Sequence, residues 1–262
     1  MNLRTWMSCS AVLFIIGGHY SAPTVAADVS EPPAHFHFEM TRPQLPAVVP
    51  GADQWQPGLD YAVLIPPVPT YTPPGKVEVL VRHLYTAQLS WDYERYLEKW
   101  ERTKPEYIEL VRKPAIRYPH ARLQARVFFT LQQLGREDLH SRFFEWVLDP
   151  RRFPVYHEVI HPDEASYLKL NLEFATANGV DGRKFADIYS SRDMEEKVIN
   201  EEIQSYPAGQ SSIVVNGKYG TSLSRLTFPK GRSDPEDFAR LFRLVEYLAA
   251  AEAKAATAVE RP

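Results

Sequence analysis

A chain of 262 residues is long enough for one large domain or two small ones. Its hydrophobic content of 44% and charged content of 24% are ordinary for a folded globular protein. The formal net charge of −3 gives no electrostatic reason to expect a nucleic-acid partner. We therefore expect no nucleic-acid partner; no cofactor is expected either.

Residues 1–27 have the pattern of an export signal. Arg4 supplies a positive charge, and the apolar run of residues 11–16 is too short to cross a bilayer as a helix. Small residues end the segment, and Val25-Ala26-Ala27 fits a cleavage site. The alternative is an uncleaved membrane anchor. We expect export to the periplasm of a Gram-negative type of envelope, with no stable membrane span in the mature chain.

The sequence contains one cysteine, Cys9, and it lies inside this signal segment. The mature chain is therefore expected to be free of cysteine. Thiol–disulfide exchange requires a thiolate on the attacking partner. We accordingly expect the mature chain to lack that chemistry.

Residues 28–56 are rich in proline and show little helical or strand periodicity, which indicates an extended tether or a strap on the domain. His35 and His37 form a His-x-His pair there, but two candidate ligands on a loop are a weak metal signal. We expect these imidazoles to pack among the neighbouring aromatic side chains.

The most informative stretch runs from Lys76 to Trp100 and predicts a buried strand, a tight loop and an amphipathic helix. Val77, Val79 and Val81 alternate in the predicted strand, as in a central strand of a sheet. Ser90 or Thr86 is the expected N-cap of the helix. The predicted apolar stripe of the helix consists of Leu89, Tyr93, Tyr96, Leu97 and Trp100.

The rest of the chain predicts further strands and helices in a definite order. An edge strand is expected at 61–65, and a second central strand at 107–111 implies a right-handed βαβ unit. Asn216-Gly217 predicts a tight hairpin, because a type I′ turn needs two positive φ angles. Helices are expected at 121–134, 139–148, 164–177, 184–189, 194–204 and from Pro235, with an Ala-rich tail that frays after Ala249.

The strand–loop–helix from Leu80 to Trp100 and the run Val-Val-Asn-Gly-Lys-Tyr at 214–219 resemble the DsbA family of periplasmic thiol:disulfide oxidoreductases. The resemblance implies an α/β, thioredoxin-like fold with a helical-bundle insertion between the βαβ unit and the C-terminal β-hairpin and helix. The expected domain spans residues 57–250, with the insertion at about 118–206 and a tail at 251–262.

The resemblance also assigns a site, and the sequence departs from the family at each of its positions. The family's Cys-x-x-Cys falls on Ala87, Gln88, Leu89 and Ser90. Its buried acid falls on Val81 and its cis-proline on Ser211, where we expect a trans peptide bond. A shifted alignment would restore a proline at Pro207. We expect these positions to be vestigial rather than catalytic.

A groove beside this loop is the expected binding surface. Its candidate residues are Arg82, His83, Thr86, Gln88, Gln210 and Ser211. Arg82 and His83 should point to opposite faces of the strand. The simpler alternative for these two is an arginine that reaches solvent along the surface and a hydrogen-bonded buried histidine.

His157-Glu158-Val159-Ile160-His161 matches the His-Glu-x-x-His signature of zinc hydrolases. Pro154 and Pro162 confine any helix here to about two turns, and the residue before a proline is pushed toward extended geometry. We treat this zinc site as an alternative and expect no metal.

The sequence thus predicts a DsbA-like protein without redox activity that binds a polypeptide or serves an envelope complex as an accessory protein. Three alternatives stay open at this point. The chain could be a thiol:disulfide interchange protein, as the fold resemblance suggests, a zinc hydrolase, or a purely structural subunit of an envelope assembly.

Overall fold

The computed structural model describes residues 55–157, 163–205, 212–227 and 234–259, with only the backbone described for 257–259. The signal segment, the proline-rich stretch up to residue 54 and Cys9 lie outside the described residues. So do Glu158, His161, Pro207, Gln210 and Ser211, and the predictions made for them are not addressed by the structure.

A mixed sheet of five strands forms the centre of the described structure. In chain order the strands are β1 (Ala62–Val63), β2 (Val77–His83), β3 (Ile108–Pro114), β4 (Ile213–Val215) and β5 (Tyr219–Thr221). The spatial order is β1-β5-β4-β2-β3, with β2 and β3 parallel and the other pairs antiparallel. The predicted βαβ unit and the predicted hairpin are both confirmed.

Helices surround the sheet and form the insertion between β3 and β4. They are α1 (Gln88–Glu101), α2 (Pro119–Gln133), α3 (His140–Leu148), α4 (Phe153–Tyr156), α5 (Glu164–Ala177), α6 (Gly182–Tyr189), α7 (Arg192–Ser205), α8 (Leu223–Thr227) and α9 (Pro235–Val259). A 3₁₀ turn at Glu137–Leu139 leads into α3. Within the described residues, none of these helices has both the length and the apolar character that a membrane crossing requires.

Strand boundaries differ from the predicted ones at two places. The pairing of β1 with β5 covers Ala62 and Val63, because Pro66 and Pro67 follow so soon that the chain leaves the sheet. In contrast, β3 extends to Pro114, three residues beyond the predicted end, because it stays in parallel register with β2 up to His83.

Two of the three apolar clusters in the described structure hold the helices against the sheet and against one another. One lies between the sheet and α1 and α9, where Val79 and Val81 of β2 meet Leu97 of α1. The other fills the helical insertion around Phe129 and Phe143. Strand β2 is buried along all seven residues, as expected for a central strand.

The Ala-rich end of the chain is helical, in contrast to the expected frayed tail. Helix α9 continues to Val259, and Ala249 is fully buried. The buried Glu252 carboxylate accepts hydrogen bonds of 2.6 Å from the Asn216 side-chain amide and from Lys218 Nζ. These contacts tie the last turns of α9 to the β4–β5 hairpin and explain why the helix does not end at Ala249.

The turn between β4 and β5 has the predicted left-handed geometry, with φ of 49° at Asn216 and 69° at Gly217. A Cβ atom on Gly217 would lie 2.1 Å from the backbone oxygen of Val68. The backbone oxygen of Gly217 also accepts a hydrogen bond of 2.8 Å from the Val68 amide. Glycine is therefore required here both for φ and for the close approach of the 64–68 segment.

We predict that Gly217→Ala lowers the free energy of unfolding by about 3 kcal/mol or more, since a clash with the backbone adds to the left-handed strain. Gly135→Ala is the matched control. Gly135 has φ of 65°, but nothing lies within 4 Å of its would-be Cβ, so only about 1–2 kcal/mol of strain is expected. Urea unfolding of both variants measures the difference. Equal losses would contradict the required close approach.

Candidate functional site

The loop between β2 and α1 is the predicted site, and its backbone positions Ala87 at the N-cap of α1. Ala87 has φ of −96° and ψ of 114°, and no side chain caps the first turn of the helix. The Ser90 hydroxyl oxygen instead accepts a 3.1 Å hydrogen bond from the Leu84 amide across the loop. The prediction that Ser90 or Thr86 caps α1 is therefore wrong.

The four positions that correspond to Cys-x-x-Cys differ in exposure. Ala87 and Ser90 are half-buried, while Gln88 and Leu89 are exposed. The sequence had predicted Leu89 as part of the apolar stripe of α1. Leu89 instead exposes 42% of its surface and lies outside the buried stripe. The buried stripe begins at Tyr93, one turn later. The loop consequently presents an apolar side chain to solvent at the start of α1.

Helix α2 holds the loop from behind. The buried side chain of Gln124 accepts a 3.0 Å hydrogen bond from the Tyr85 amide and donates one of 3.4 Å to the Thr86 hydroxyl. Thr86 is buried by this arrangement and is not open to a ligand. Sequence reasoning treated Gln124 as part of an ordinary helix, because nothing in its local pattern marks a contact with a distant loop.

A buried polar network lies directly below the loop, and sequence analysis missed it. The Tyr85 hydroxyl lies 2.8 Å from His140 Nδ1, and His140 Nε2 lies 3.3 Å from a Glu94 carboxylate oxygen. Glu94 also accepts a 2.9 Å hydrogen bond from Arg112 Nε, and a second nitrogen of Arg112 donates to Glu101 at 2.9 Å. The network joins the β2–α1 loop, β3, α1 and α3.

Burial and neighbouring charges set the protonation states of Tyr85 and Glu94 in this network. Burial raises the pKa of the Tyr85 hydroxyl far above its usual range, so this group stays protonated beside His140 Nδ1. The other ring nitrogen of His140, Nε2, lies against Glu94. Burial by itself raises the pKa of Glu94, but the hydrogen bond and charge of His140, together with the Arg112 guanidinium, outweigh it and lower that pKa. Glu94 is thus held as a carboxylate.

Val81 places no carboxylate in the central strand. Its side chain is buried in the apolar cluster, and the residue pairs with Ile213 on one side and Arg112 on the other. The buried acid of the described site is Glu94 on α1 instead. Strand periodicity could not reveal it, because a charged residue on an amphipathic helix normally faces solvent.

His83 is enclosed by aromatic rings rather than hydrogen-bonded. Its ring centroid lies 4.4 Å from that of His140 and 4.7 Å from that of Tyr85, and its Nε2 atom is buried without a hydrogen-bond partner. The alternative of a hydrogen-bonded histidine is therefore wrong for Nε2. Burial, with the charges of His140 and Arg112 adding to it, holds the pKa of His83 well below its usual range. His83 is neutral in the folded protein.

Arg82 points to the opposite face of β2, as the alternation of side chains along a strand requires. It exposes only 7% of its surface, which overturns the alternative of an arginine reaching solvent. Its Nε and Nη2 atoms are buried without a hydrogen-bond partner. Of the predicted groove residues that the structure describes, Gln88 is exposed, whereas Arg82, His83 and Thr86 are buried.

The strand that follows the predicted cis-proline position is anchored to α1. Ser212 Oγ donates to the Tyr93 hydroxyl oxygen at 3.2 Å. The Tyr93 oxygen also accepts a 2.5 Å hydrogen bond from the Leu223 amide. The Ser212 carbonyl accepts a 2.8 Å hydrogen bond from the Arg82 amide. Tyr93 thus fixes the entry of β4 beside the start of α1, the region where Ser211 and Gln210 would have been expected to form a groove.

The zinc alternative receives little structural support from the part of the chain that is described. His157 follows the single turn of α4 and is exposed, while Glu158 and His161 lie outside the described residues. Among the residues that are described, no group of three or more His, Cys, Asp or Glu side chains is placed to hold a metal ion.

The chain is similar in sequence to known thiol:disulfide interchange proteins. No family model matches the chain. The thiol:disulfide interchange protein DsbA of Pseudomonas aeruginosa is 28% identical over 172 residues, which cover 64% of this chain and 76% of that protein. The protein of the same name from Bordetella pertussis is 29% identical over 176 residues, covering 65% and 78% respectively.

Solved structures agree with the sequence relatives. The crystal structure of Pseudomonas aeruginosa DsbA matches with a TM-score of 0.64 at 24% identity, over 79% of this chain and 98% of that one. The oxidoreductase DsbA from Xylella fastidiosa matches with a TM-score of 0.60 at 20% identity, over 80% and 98%. The predicted fold class, a thioredoxin-like α/β fold with a helical insertion, is confirmed.

We predict that His83 makes stability fall in acid. Below a pH of about 6.5 the unfolded state binds a proton at this histidine that the folded state excludes, so the free energy of unfolding falls by roughly 1.4 kcal/mol per pH unit until the lowered folded pKa is reached. His83→Phe removes this loss while keeping an aromatic ring among aromatic neighbours. Urea unfolding at pH 7.5 and pH 5.0 should show a loss smaller by up to roughly 2 kcal/mol in the variant.

The exposed His157 provides the control for this measurement. His157→Gln, which replaces an exposed histidine, is measured beside it under the same conditions. An identical acid loss in His83→Phe and in the unmodified chain would show that His83 is not the responsible group.

Proposed function

We propose that this chain is a member of the DsbA family of thioredoxin-fold proteins without redox activity, and that it binds polypeptides in the periplasm, by itself or as an accessory of an envelope complex. The observation that carries the proposal is the absence of sulfur from the loop. Ala87 and Ser90 stand where the family has its two thiols, and residues 10–262 contain no cysteine.

Ser90 does not replace a thiol as a nucleophile. A serine hydroxyl needs an adjacent general base to attack a substrate. The Ser90 oxygen is instead engaged by the Leu84 amide at 3.1 Å. The nearby histidines described above, His83 and His140, are buried in the aromatic cluster and in the Glu94 network. This arrangement supports a structural role for Ser90 in holding the loop.

Val81 adds independent support. Burying a carboxylate that moves protons for a thiol pair carries a large desolvation cost. Valine at position 81 has no such cost. The buried acid below the loop, Glu94, is committed to His140 and Arg112. A carboxylate held in this way stabilises the contact of α1 with β3 and α3. It is not free to accept a proton from a neighbouring reaction.

The exposed surface of the loop supports polypeptide binding. Leu89 and Gln88 point into solvent at the start of α1, beside the small side chain of Ala87. The first amides of a helix have no intrahelical acceptor, and no side chain caps them here. Such amides can donate to the backbone carbonyls of an extended polypeptide, while Leu89 contacts an apolar side chain of the same segment.

The periplasmic location rests on the export-signal pattern of residues 1–27 and on the family. The periplasmic location and the envelope partner are thus proposed together with the function. Co-purification from an envelope extract followed by mass spectrometry would identify that partner. The rival function is thiol:disulfide interchange, which the names of the relatives state for those proteins. In this chain it would have to proceed through Cys9.

We predict that the unmodified protein and a Cys9→Ala variant reduce insulin, and oxidise a cysteine-containing peptide, no faster than the background rate. The double variant Ala87→Cys/Ser90→Cys should gain measurable exchange activity, because a thiol at the N-terminus of a helix is acidified and thus activated. The stepwise insulin-turbidity assay distinguishes the three proteins.

Each outcome of that assay is informative. Turnover by the unmodified chain that disappears in Cys9→Ala would overturn the proposed loss of redox activity. Ala87→Ser/Ser90→Ala serves as the matched control for the double variant, since it changes the same two positions without introducing sulfur.

We predict that Leu89→Asp weakens the binding of an unfolded polypeptide by about tenfold, because it removes the exposed apolar contact of the loop. Reduced and alkylated insulin B chain carrying a fluorophore is a suitable probe for anisotropy. Ile203→Asp is the control, since Ile203 on α7 is even more exposed, at 66%, but lies on another helix. Equal affinities of the two variants would contradict a binding surface at the loop.

A further inference from the structure

The sheet ends at strand β3, whose only strand neighbour within the described residues is β2. The hydrogen bonds at the two ends of this pair show which backbone groups of β3 point outward. The Val77 amide donates to the Tyr107 carbonyl at 2.8 Å, and the Ala115 amide donates to the His83 carbonyl at 2.7 Å. Because every second residue of a strand bonds to the same neighbour, the odd-numbered residues of β3 bond to β2 and the even-numbered residues direct their amides and carbonyls away from it.

Both ends of this outward edge are closed to a further strand. The Ile108 amide donates to the Pro105 carbonyl at 3.0 Å, and the Ile108 carbonyl accepts a 2.6 Å hydrogen bond from Lys104 Nζ. At the other end, Pro114 has no amide proton to donate. Pairing with another strand is therefore left to the middle of β3, residues 109–113.

The outward residues of this middle section are Leu110 and Arg112. In the part of the chain that the structure describes, the backbone groups of these two residues form no hydrogen bond outside the sheet. Leu110, Val111 and Arg112 are half-buried, and Glu109 is exposed. An edge with unpaired amides and carbonyls is a template on which another extended chain can pair.

A second copy of β3 matches this edge in one antiparallel register. A twofold axis at Val111 places Leu110 opposite Arg112 of the second copy, and each such pair exchanges two hydrogen bonds. The axis generates two pairs, so that all outward groups of both residues are satisfied by four hydrogen bonds. An axis at Leu110 or at Arg112 would instead bring Ile108 or Pro114 into the pairing and leave groups unmatched.

The same register brings opposite charges together. Residues 109, 111 and 113 lie on one face of the strand, so Glu109 lies opposite Lys113 of the second copy, twice by symmetry. Glu109 is exposed and forms no ion pair among the described residues. Lys113 Nζ lies 3.3 Å from Glu201, and its side chain is 13% exposed, so Glu109 would join an existing ion pair. Opposite charges that face each other across antiparallel strands stabilise the pairing, which favours a second copy over a polypeptide of arbitrary sequence.

We propose that β3 is a dimer interface, at which two copies of this chain pair antiparallel about Val111. The two five-stranded sheets then form one continuous sheet. The interface shares no residue with the loop surface of Gln88 and Leu89, so it does not rest on the function proposed above.

Cysteine cross-linking of the full-length chain tests the register, because Cys9 is the only cysteine of the sequence. In a Cys9→Ala background, Val111→Cys should form a disulfide-linked dimer on mild oxidation. Opposite residues in a pair without hydrogen bonds have Cα atoms about 4.5 Å apart, within the range of about 4.4–6.8 Å that a disulfide spans. Non-reducing electrophoresis measures the linked fraction.

Glu109→Cys in the same background is the matched control for cross-linking. Its position is more exposed than Val111 and lies on the same face of the strand. In the proposed dimer its two copies would be about 14 Å apart, too far for a disulfide. Cross-linking of Glu109→Cys as readily as of Val111→Cys would show random collision or another register, and would overturn the proposal.

Sedimentation equilibrium tests the dimer without cross-linking. The unmodified chain should show a concentration-dependent dimer. Glu109→Lys should raise the dissociation constant of that dimer by roughly tenfold, because both cross-strand charge pairs become repulsive. Glu145→Lys, which makes the same charge change at an exposed position of α3, should leave the constant unchanged.

Two results of this measurement would contradict the interface. A monomer at every concentration would show that the edge is left open or is covered by another segment of the same chain. Equal dissociation constants of Glu109→Lys and Glu145→Lys would show that the dimer forms through a different surface.

Discussion

The burial of β2 along its whole length is the constraint that shapes the surrounding structure. A central strand normally carries apolar side chains on both faces, yet this one contains Glu78, Arg82 and His83. Buried polar groups are costly unless they are matched. The Glu78 carboxylate obtains two backbone amides from the 66–76 segment, which holds that segment against the sheet. The His83 ring packs against aromatic rings, and its Nε2 atom has no hydrogen-bond partner. Within the described residues, two buried nitrogen atoms of Arg82, Nε and Nη2, have no hydrogen-bond partner.

On the face of β2 that carries His83, the Glu94 network stabilises the packing of the surrounding elements. Removing one partner from a buried ion pair typically costs about 3–5 kcal/mol, because the other charge is left unpaired. Replacing Glu94 alone would therefore leave Arg112 with Glu101 as its remaining ion-pair partner in the network. The network connects the β2–α1 loop, β3, α1 and α3. This structural role requires no thiol chemistry at the loop.

The sequence predicted the fold well because most of its signals are local. Alternating valines identified β2, Asn216-Gly217 identified the hairpin, and the 164–177 helix has the predicted bounds. The site was predicted less well because its contacts are not local. Glu94 and His140 are 46 residues apart, and each one resembles a surface residue of its own helix. The exposure of Leu89 has the same origin, since a helical stripe does not show where the buried face begins.

What remains when the thiols are absent follows from the geometry of α1. The N-terminus of a helix carries a partial positive charge and unpaired amides, and in a thiol enzyme that field stabilises the thiolate. Ala87 supplies no anion, and the Ser90 oxygen is turned inward to the Leu84 amide. The field at the loop is therefore available to an acceptor from outside the chain. A polypeptide carbonyl is such an acceptor, and it requires no sulfur, no base and no proton transfer. The geometry of this loop thus allows the polypeptide binding that we propose, without thiols.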